Sequence, residues 1–415
     1  MTPTPRAAAL ALALALAALI LPVWASIAAL VVLLALTLAD ARAVARAPAL
    51  EREVERVLSR GAPSPLHARA LVRDRRSVAL RQPGLSSLAI RSELSPSALS
   101  GEIVASRRGR FVLPGLASAS IGPLGLGCHH HPAGASCELR VYPDLRPARR
   151  LVLALRHGAS TADGRLRRGA LGLGTEFESI RDYSPDDDIR SVNWRATERL
   201  GRPMSNRYRI EQDRDLVCLL DAGRLMAAPC QGGTLLDAAL AALAAVALAA
   251  DELGDRCGAI AFDRAVLRSL PPGRRGGRRT VEALYDLQPT LVDSDFEAAF
   301  IRVGATHRAL VLVFTDLIDV AAARSLLDAM PMLARRHAVI VAGIGDEDLQ
   351  ARLEPSSAGV LDGYAMAAAL SVLDARAAAA ARLRRCGATV IEAPPQKLPD
   401  RCVQAYLRAK SRSRL

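Results

Sequence analysis

Lysine is almost absent from this chain: Lys397 and Lys410 are the only two, although lysine and arginine together number 55. Its positive charge is therefore carried by arginine and, beside abundant alanine, reads as G+C-rich coding more than as a functional signature. Aromatic residues are scarce, at 3%. A nucleic-acid surface interleaves stacking aromatics with basic residues on one face, so nucleic acid is not expected as a partner despite the net charge of +13. Scattered arginines suit an anionic membrane leaflet better. Catalytic signatures are missing too. There is no Gly-x-Ser-x-Gly elbow and no His-Glu-x-x-His helix, and the glycine-rich stretch Pro271 to Gly277 lacks the Gly-Lys-Ser/Thr ending of a phosphate loop, so it reads as a turn or mobile loop. With no complete catalytic constellation, an enzyme is not expected. The seven cysteines (Cys128, Cys137, Cys218, Cys230, Cys257, Cys386 and Cys402) are odd in number and irregularly spaced, which excludes a disulfide framework and fits a reducing compartment. Cys218 and Cys257 sit in apolar runs, as small hydrophobes do.

What the chain does have begins at its N-terminus. No charged residue lies between Arg6 and Asp40, and the apolar run breaks once, at Leu21-Pro22. It exceeds the ~20 residues of one span and falls short of two full spans. The arginines at 42, 46, 52, 56 and 60 would stay on the cytoplasmic side, and Arg6 with them. The expectation for residues 1–48 is thus a membrane anchor of two short transmembrane helices turning at Pro22. The inner membrane is its place, the lipid bilayer its partner, and the soluble part faces the cytoplasm. A cleaved signal peptide fits less well, because the apolar run resumes at Ile27. A chain of 415 residues has room for two soluble domains besides.

Over 50–155 short alternating runs are punctuated by Gly, Pro and Ser, predicting a small all-β, sandwich-like domain with no helix of any length. Within it, Cys128-His129-His130-His131 and Cys137 carry zinc-type ligands, but the spacing matches no finger and neighbouring strand residues point apart. The segment reads as an exposed hairpin loop. From 213 to 415 apolar strands alternate with helix-like stretches, predicting an α/β domain on a mainly parallel, Rossmann-like sheet. His337, at the start of one apolar strand, reads as a boundary or core residue.

Between these domains, 165–212 holds connecting strands and the most distinctive stretch, running from Gly174 through Tyr183-Ser184-Pro185-Asp186-Asp187-Asp188-Ile189-Arg190 to Asn193-Trp194-Arg195-Ala196-Thr197. It resembles the signature of the bacterial family called domain of unknown function 58. Tyr183, Pro185, Asp187, Asp188, Arg190, Trp194, Thr197 and Arg199 fall at matching positions, while Asp186 stands where glycine is usual. Gly122-Pro123-Leu124-Gly125-Leu126 is similar to that family's Asp-Pro-Phe-Gly-Leu, with Gly122 and Leu124 departing from it. The bland reading of the signature is a buried ion-pair and stacking network around Trp194 that docks the β domain on the α/β domain. The sharper one is a cation or partner site at Asp186 to Asp188.

The resemblance implies a von Willebrand factor A-like α/β domain and a MoxR-type AAA ATPase as partner. Such domains hold a divalent cation at Asp-x-Ser-x-Ser; the matching positions here are Asp221, Gly223 and Leu225, without either hydroxyl. Asp316 stands in the place of the later acidic ligand, and Ser294 or Asp295 could supply a middle one. These positions read as a vestigial metal site, with no cofactor expected and magnesium or another divalent cation as the alternative. Two functions follow. One is a membrane-anchored, non-catalytic protein-interaction module working with the ATPase in protein assembly or maturation. The other is a metal-dependent binding protein or hydrolase using Asp221, Asp316 and the Asp186 to Asp188 cluster.

Overall fold

The computed structural model describes residues 1–415 apart from 21, 72–76, 96, 157–158, 163–164, 169–175, 185–188, 210–213, 231, 305–307, 318–322, 347–348, 350, 354–359 and 412–415. Of the signature residues, Pro185, Asp187 and Asp188 lie outside the described residues, as does Asp186. The chain divides into two compact units, Met1–Tyr142 and Pro143–Leu415.

The first unit opens with helices α1 (Pro5–Ala17) and α2 (Val23–Ala43). Pro22 cannot continue a helix ladder, and α1 and α2 pack on each other across that break. At 1.5 Å per residue α2, with 21 residues, is the one of this pair that reaches the ~30 Å of a bilayer core. Their apolar side chains face outward: Ile20 is 90% exposed, Leu19 84% and Trp24 75%. Such a belt has nothing to gain in water, and it suggests membrane association.

Both ends of this pair are held by one loop. Thr4 caps α1 and donates its hydroxyl to Gly125 O at 2.6 Å. Asp40, buried in the last turn of α2, accepts the backbone N–H groups of Leu124 (2.9 Å), Leu126 (2.8 Å) and Gly127 (2.9 Å). Behind the loop, an antiparallel sheet of Ala49–Val54, Pro63–Leu71, Ala98–Ala105 and Leu88–Ser95 shares one core with a second four-stranded sheet and a three-stranded one. Strict alternation puts Leu66 and Ala68 inside and their neighbours out.

The histidine segment departs from its sequence reading. Gly127–His131 is a strand paired with Ala117–Ile121, not an exposed loop. His131 is buried with Nε2 2.9 Å from the Ser120 hydroxyl, and no group of three metal-type ligands gathers among the described residues. A pairing partner 10 residues upstream decided this, where local turn chemistry alone pointed to a loop.

The second unit contains a six-stranded sheet. Numbered along the chain, its strands are β1 (Asp215–Asp221), β2 (Arg256–Phe262), β3 (Val266–Gly273), β4 (Leu310–Phe314), β5 (Ala338–Ile344) and β6 (Thr389–Ala393). Their spatial order is 3-2-1-4-5-6, parallel except for β3. Helices follow as α3 (Arg146–Arg156), α4 (Trp194–Leu200), α5 (Leu235–Glu252), α6 (Gly276–Leu284), α7 (Phe296–Gly304), α8 (Arg324–Ala334), α9 (Val360–Arg385) and α10 (Leu398–Ser411). Both faces of the sheet are covered. Leu216, Cys218 and Leu220 pack with α5 and α10, and Val217 and Leu219 pack with α7 and α8. That is why β1 reads as an unbroken apolar run.

Two segments differ from their sequence reading. Arg146–Arg156, expected within the β domain, is helix α3 and goes with the second unit, because Ala148, Leu151 and Leu155 form one helical face against α5. Pro271, Pro272 and Gly273 are not a loop but the end of β3, an edge strand on which proline forfeits no ladder bond. Gly276 and Gly277 then open α6, where a Cβ would lie 1.9 Å from Cys257 O and 2.0 Å from Ala247 O.

Candidate functional site

In a sheet of this order the connections leaving β1 and β4 go to opposite faces, so a crevice opens beyond their carboxyl ends. A cleft of about 480 Å³ lies there, lined among others by Asp221, Leu225, Ser294, Thr315 and Asp316. Asp221 is the last residue of β1 and only 2% exposed. Its Oδ1 accepts the Gly223 N–H at 2.8 Å and the Ser294 hydroxyl, and its Oδ2 accepts the Thr315 hydroxyl at 2.6 Å. Burial pushes this carboxyl above its ordinary range, against the opposing pull of those three donors.

Gly223 shows how the site is closed. A Cβ there would sit 2.1 Å from Ser294 Oγ, so the hydroxyl missing from position 223 is replaced in space by one arriving from the loop after α6. The backbone pins that loop through Arg224 N–H to Val292 O (2.8 Å) and Thr290 N–H to Ala222 O (2.7 Å). Asp295 turns away to cap α7, accepting the Ala298 N–H at 3.1 Å. Leu225 brings no oxygen. Arg224 faces Asp293 at 2.8 Å, an exposed pair of little energetic weight.

Asp316 follows β4 and is 5% exposed. Arg376 of α9 approaches it with Nη2 at 3.2 Å from Oδ1 and donates Nη1 to Ile344 O at 2.9 Å. Burial raises the Asp316 carboxyl to about 6, with Arg376 opposing the rise. A raised carboxyl favours the folded state below the unfolded pKa, and that contribution disappears as pH climbs through the folded one. Unfolding free energy should therefore fall by about 3 kcal/mol on this account between pH ~4 and ~6.5, two pKa units at 1.36 kcal/mol each. Chemical denaturation across that window checks it, because Asp316→Asn should remove this share of the slope while the share from Asp221 remains.

Sequence reasoning set Asp221 and Asp316 with Ser294 or Asp295 as the middle position, and of those two the structure brings Ser294 to Asp221. It missed Thr315, whose position before Asp316 at a strand end was the available hint, and Arg376, for which a long alanine-rich helix offers no signal.

The signature segment forms a separate feature. Asn193 caps α4, its side chain accepting the Ala196 N–H at 3.0 Å, and Thr197 accepts the Met204 N–H at 2.9 Å with its hydroxyl. These bonds fold α4 onto the hairpin of Glu176–Asp182 and Met204–Arg209. Tyr183 continues that pairing through its N–H to Pro203 O at 3.0 Å. Arg190 lies in a short 3-10 turn, Ile189–Ser191. Trp194 is 70% exposed, Arg199 is exposed, and α4 buries none of its residues; the carboxylates Asp186 to Asp188 of the network expected around Trp194 lie outside the described residues.

Among known proteins, uncharacterized proteins of Mycobacterium bovis and Mycobacterium tuberculosis are 27% identical over 259 residues, 55% of this chain and 78% of theirs. Two solved structures align at low scores, which carry no structural argument. One is a cohesin module of a Clostridium perfringens family 33 glycoside hydrolase (TM-score 0.14, 10% identity, 23% of this chain and 96% of that one). The other is an uncharacterized membrane spanning protein of Vibrio fischeri (TM-score 0.15, 19% identity, 32% and 72%). Residues 179–355, which carry both the strand-end cleft and most of the signature, match the family described as protein of unknown function DUF58.

Proposed function

We propose that this protein is a membrane-anchored, non-catalytic interaction module. In this reading the second unit is a von Willebrand factor A-like domain facing the cytoplasm from the inner membrane, and it works with a MoxR-type AAA ATPase in assembly or maturation of other proteins. The strand order 3-2-1-4-5-6 with an antiparallel third strand supports the domain reading. The observation that carries the interaction reading is the exposure of the signature's apolar side chains: Ile189 70% and Trp194 70%. An exposed tryptophan beside an arginine, here Arg195, on a surface segment is the kind of residue that anchors a protein partner. The strand-end site points the same way, since both Asp221 oxygens are engaged by the chain's own donors and Asp316 is paired with Arg376.

A pull-down from host cytoplasmic extract with the detergent-solubilised chain tests this. ATP-dependent capture of an AAA ATPase is expected, weakened about tenfold or more by Trp194→Ala, a loss of roughly 1.4 kcal/mol or more. Capture of no ATPase with or without nucleotide would refute the reading.

One observation favours a second reading, a bound hard cation. Ser294 and Thr315 bring to Asp221 two hydroxyls of the kind the local motif lacks. With Asp316 they form a donor set suited in type to magnesium or calcium. Its availability is poorer, because Arg376 already supplies positive charge to Asp316. Magnesium, manganese or calcium should raise the melting temperature if this reading holds, and no shift at saturating concentrations removes it.

A further inference from the structure

At the opposite edge of the same sheet, where β4, β5 and β6 begin, lies a second cleft of about 590 Å³. Its charge is one-sided. Arg308, Arg335, Arg401 and Arg408 line it, and none of these guanidinium groups has a partner among the described residues. Arg336 also lines it, with Nη1 held by Gly304 O at 2.9 Å, and Glu392 is the one carboxylate on the wall. Arg401, Gln404 and Arg408 recur at the i, i+3 and i+7 positions of α10, so one helix face is turned toward the cleft.

The floor carries two buried polar groups with nothing to bond. His337 is 5% exposed, and its Nδ1 accepts the Ala309 N–H at 3.2 Å. Nδ1 is therefore the unprotonated nitrogen, the ring proton sits on Nε2, and Nε2 has no partner. Burial and the neighbouring Arg336 depress the imidazole pKa, in keeping with this neutral form. Gln404 is 6% exposed, and its Oε1 is likewise without a partner. A buried donor or acceptor left unmade costs about 1–3 kcal/mol, so two beneath one basic cleft call for a ligand that satisfies both.

We propose that this cleft binds a phosphate group. Phosphate oxygens would accept from His337 Nε2–H and the surrounding guanidiniums, whose planar forks match them, and a P–OH or a neighbouring hydroxyl of the ligand would donate to Gln404 Oε1. The chemistry fits a free phosphate ester and the headgroup of an anionic phospholipid equally.

The test is calorimetric titration of the full chain, in phosphate-free maltoside detergent at constant ionic strength, with inorganic phosphate and with glycerol phosphate. Saturable binding is expected, at least tenfold weaker in the Arg401→Gln/Arg408→Gln variant, whose exposed positions leave the fold intact; an unchanged melting temperature verifies that. Adding phosphatidic acid to the micelles separates the sources. Competition with glycerol phosphate assigns the site to a lipid headgroup, and its absence assigns it to a soluble ester. No saturable binding of any of the three probes, or binding that the double variant leaves within twofold, overturns the proposal.

Discussion

Asp40→Ala should lower the unfolding free energy of the first unit by roughly 3–5 kcal/mol and loosen the apolar helices from the β strands. The size follows from what the carboxylate does: it accepts three backbone N–H groups, from Leu124, Leu126 and Gly127, at a buried position. Truncation leaves those donors unmade, each costing about 1–3 kcal/mol less whatever water recovers. An acid in the last turn of α2 is also opposed by the helix dipole, so these donors are the reason it is tolerated there. Asp40→Asn, keeping one carbonyl oxygen, should lie between wild type and alanine. Limited proteolysis of the detergent-solubilised chain, reading cleavage around 122–127, measures the loosening.

The same site yields a rescue. A Cβ on Gly122 would stand 2.3 Å from the Asp40 carboxyl carbon, so the helix carboxylate fills the space that an aspartate at 122, usual in the family this loop resembles, would occupy. Gly122→Asp alone should destabilise by crowding, while Gly122→Asp with Asp40→Ala should recover more than either single change, a coupling that a double-mutant cycle reads directly. Purely additive losses would refute the substitution of one carboxylate for the other.

Lys410→Met should destabilise the second unit by a comparable 3–5 kcal/mol, because it removes the ammonium bonded to a buried carboxylate and leaves only the more distant Arg214 charge. Asp255, 2% exposed, accepts from Lys410 Nζ at 2.7 Å and from the Tyr406 hydroxyl, and Lys410 and Tyr406 are 4% and 1% exposed. Burial lowers the Lys410 pKa, with Asp255 working against that, and raises the Tyr406 phenol. The cluster ties α10 to the turn before β2. Its loss should free α10 and expose Leu398, Cys402 and Val403, which pack in the core below it. Urea denaturation gives the magnitude. Lys410→Met combined with Asp255→Asn should regain at least half of it, since the stranded charge is then gone. Failure to regain any would mean that the packing of the lysine stem, not the charge, holds the helix.

The amino-acid order by itself determined the apolar run before Asp40, the short alternating runs of the β region and the unbroken apolar strands of the six-stranded sheet. Each is written in a local period that burial on one face or both must produce. It also placed Asp221 and Asp316 at strand ends, where apolar runs stop at an acid. Tertiary structure alone decided which partners those acids have. Ser294 reaches Asp221 across 73 residues and Arg376 reaches Asp316 across 60, separations over which no periodicity carries information. Neighbouring strands likewise turned the histidine run into a strand and admitted two prolines to β3, because ladder bonds to Ala117–Ile121 and an edge position outweighed local turn preference. The exposure of Trp194 belongs to the same class: the sequence marks the residue, and only the fold shows it on the surface.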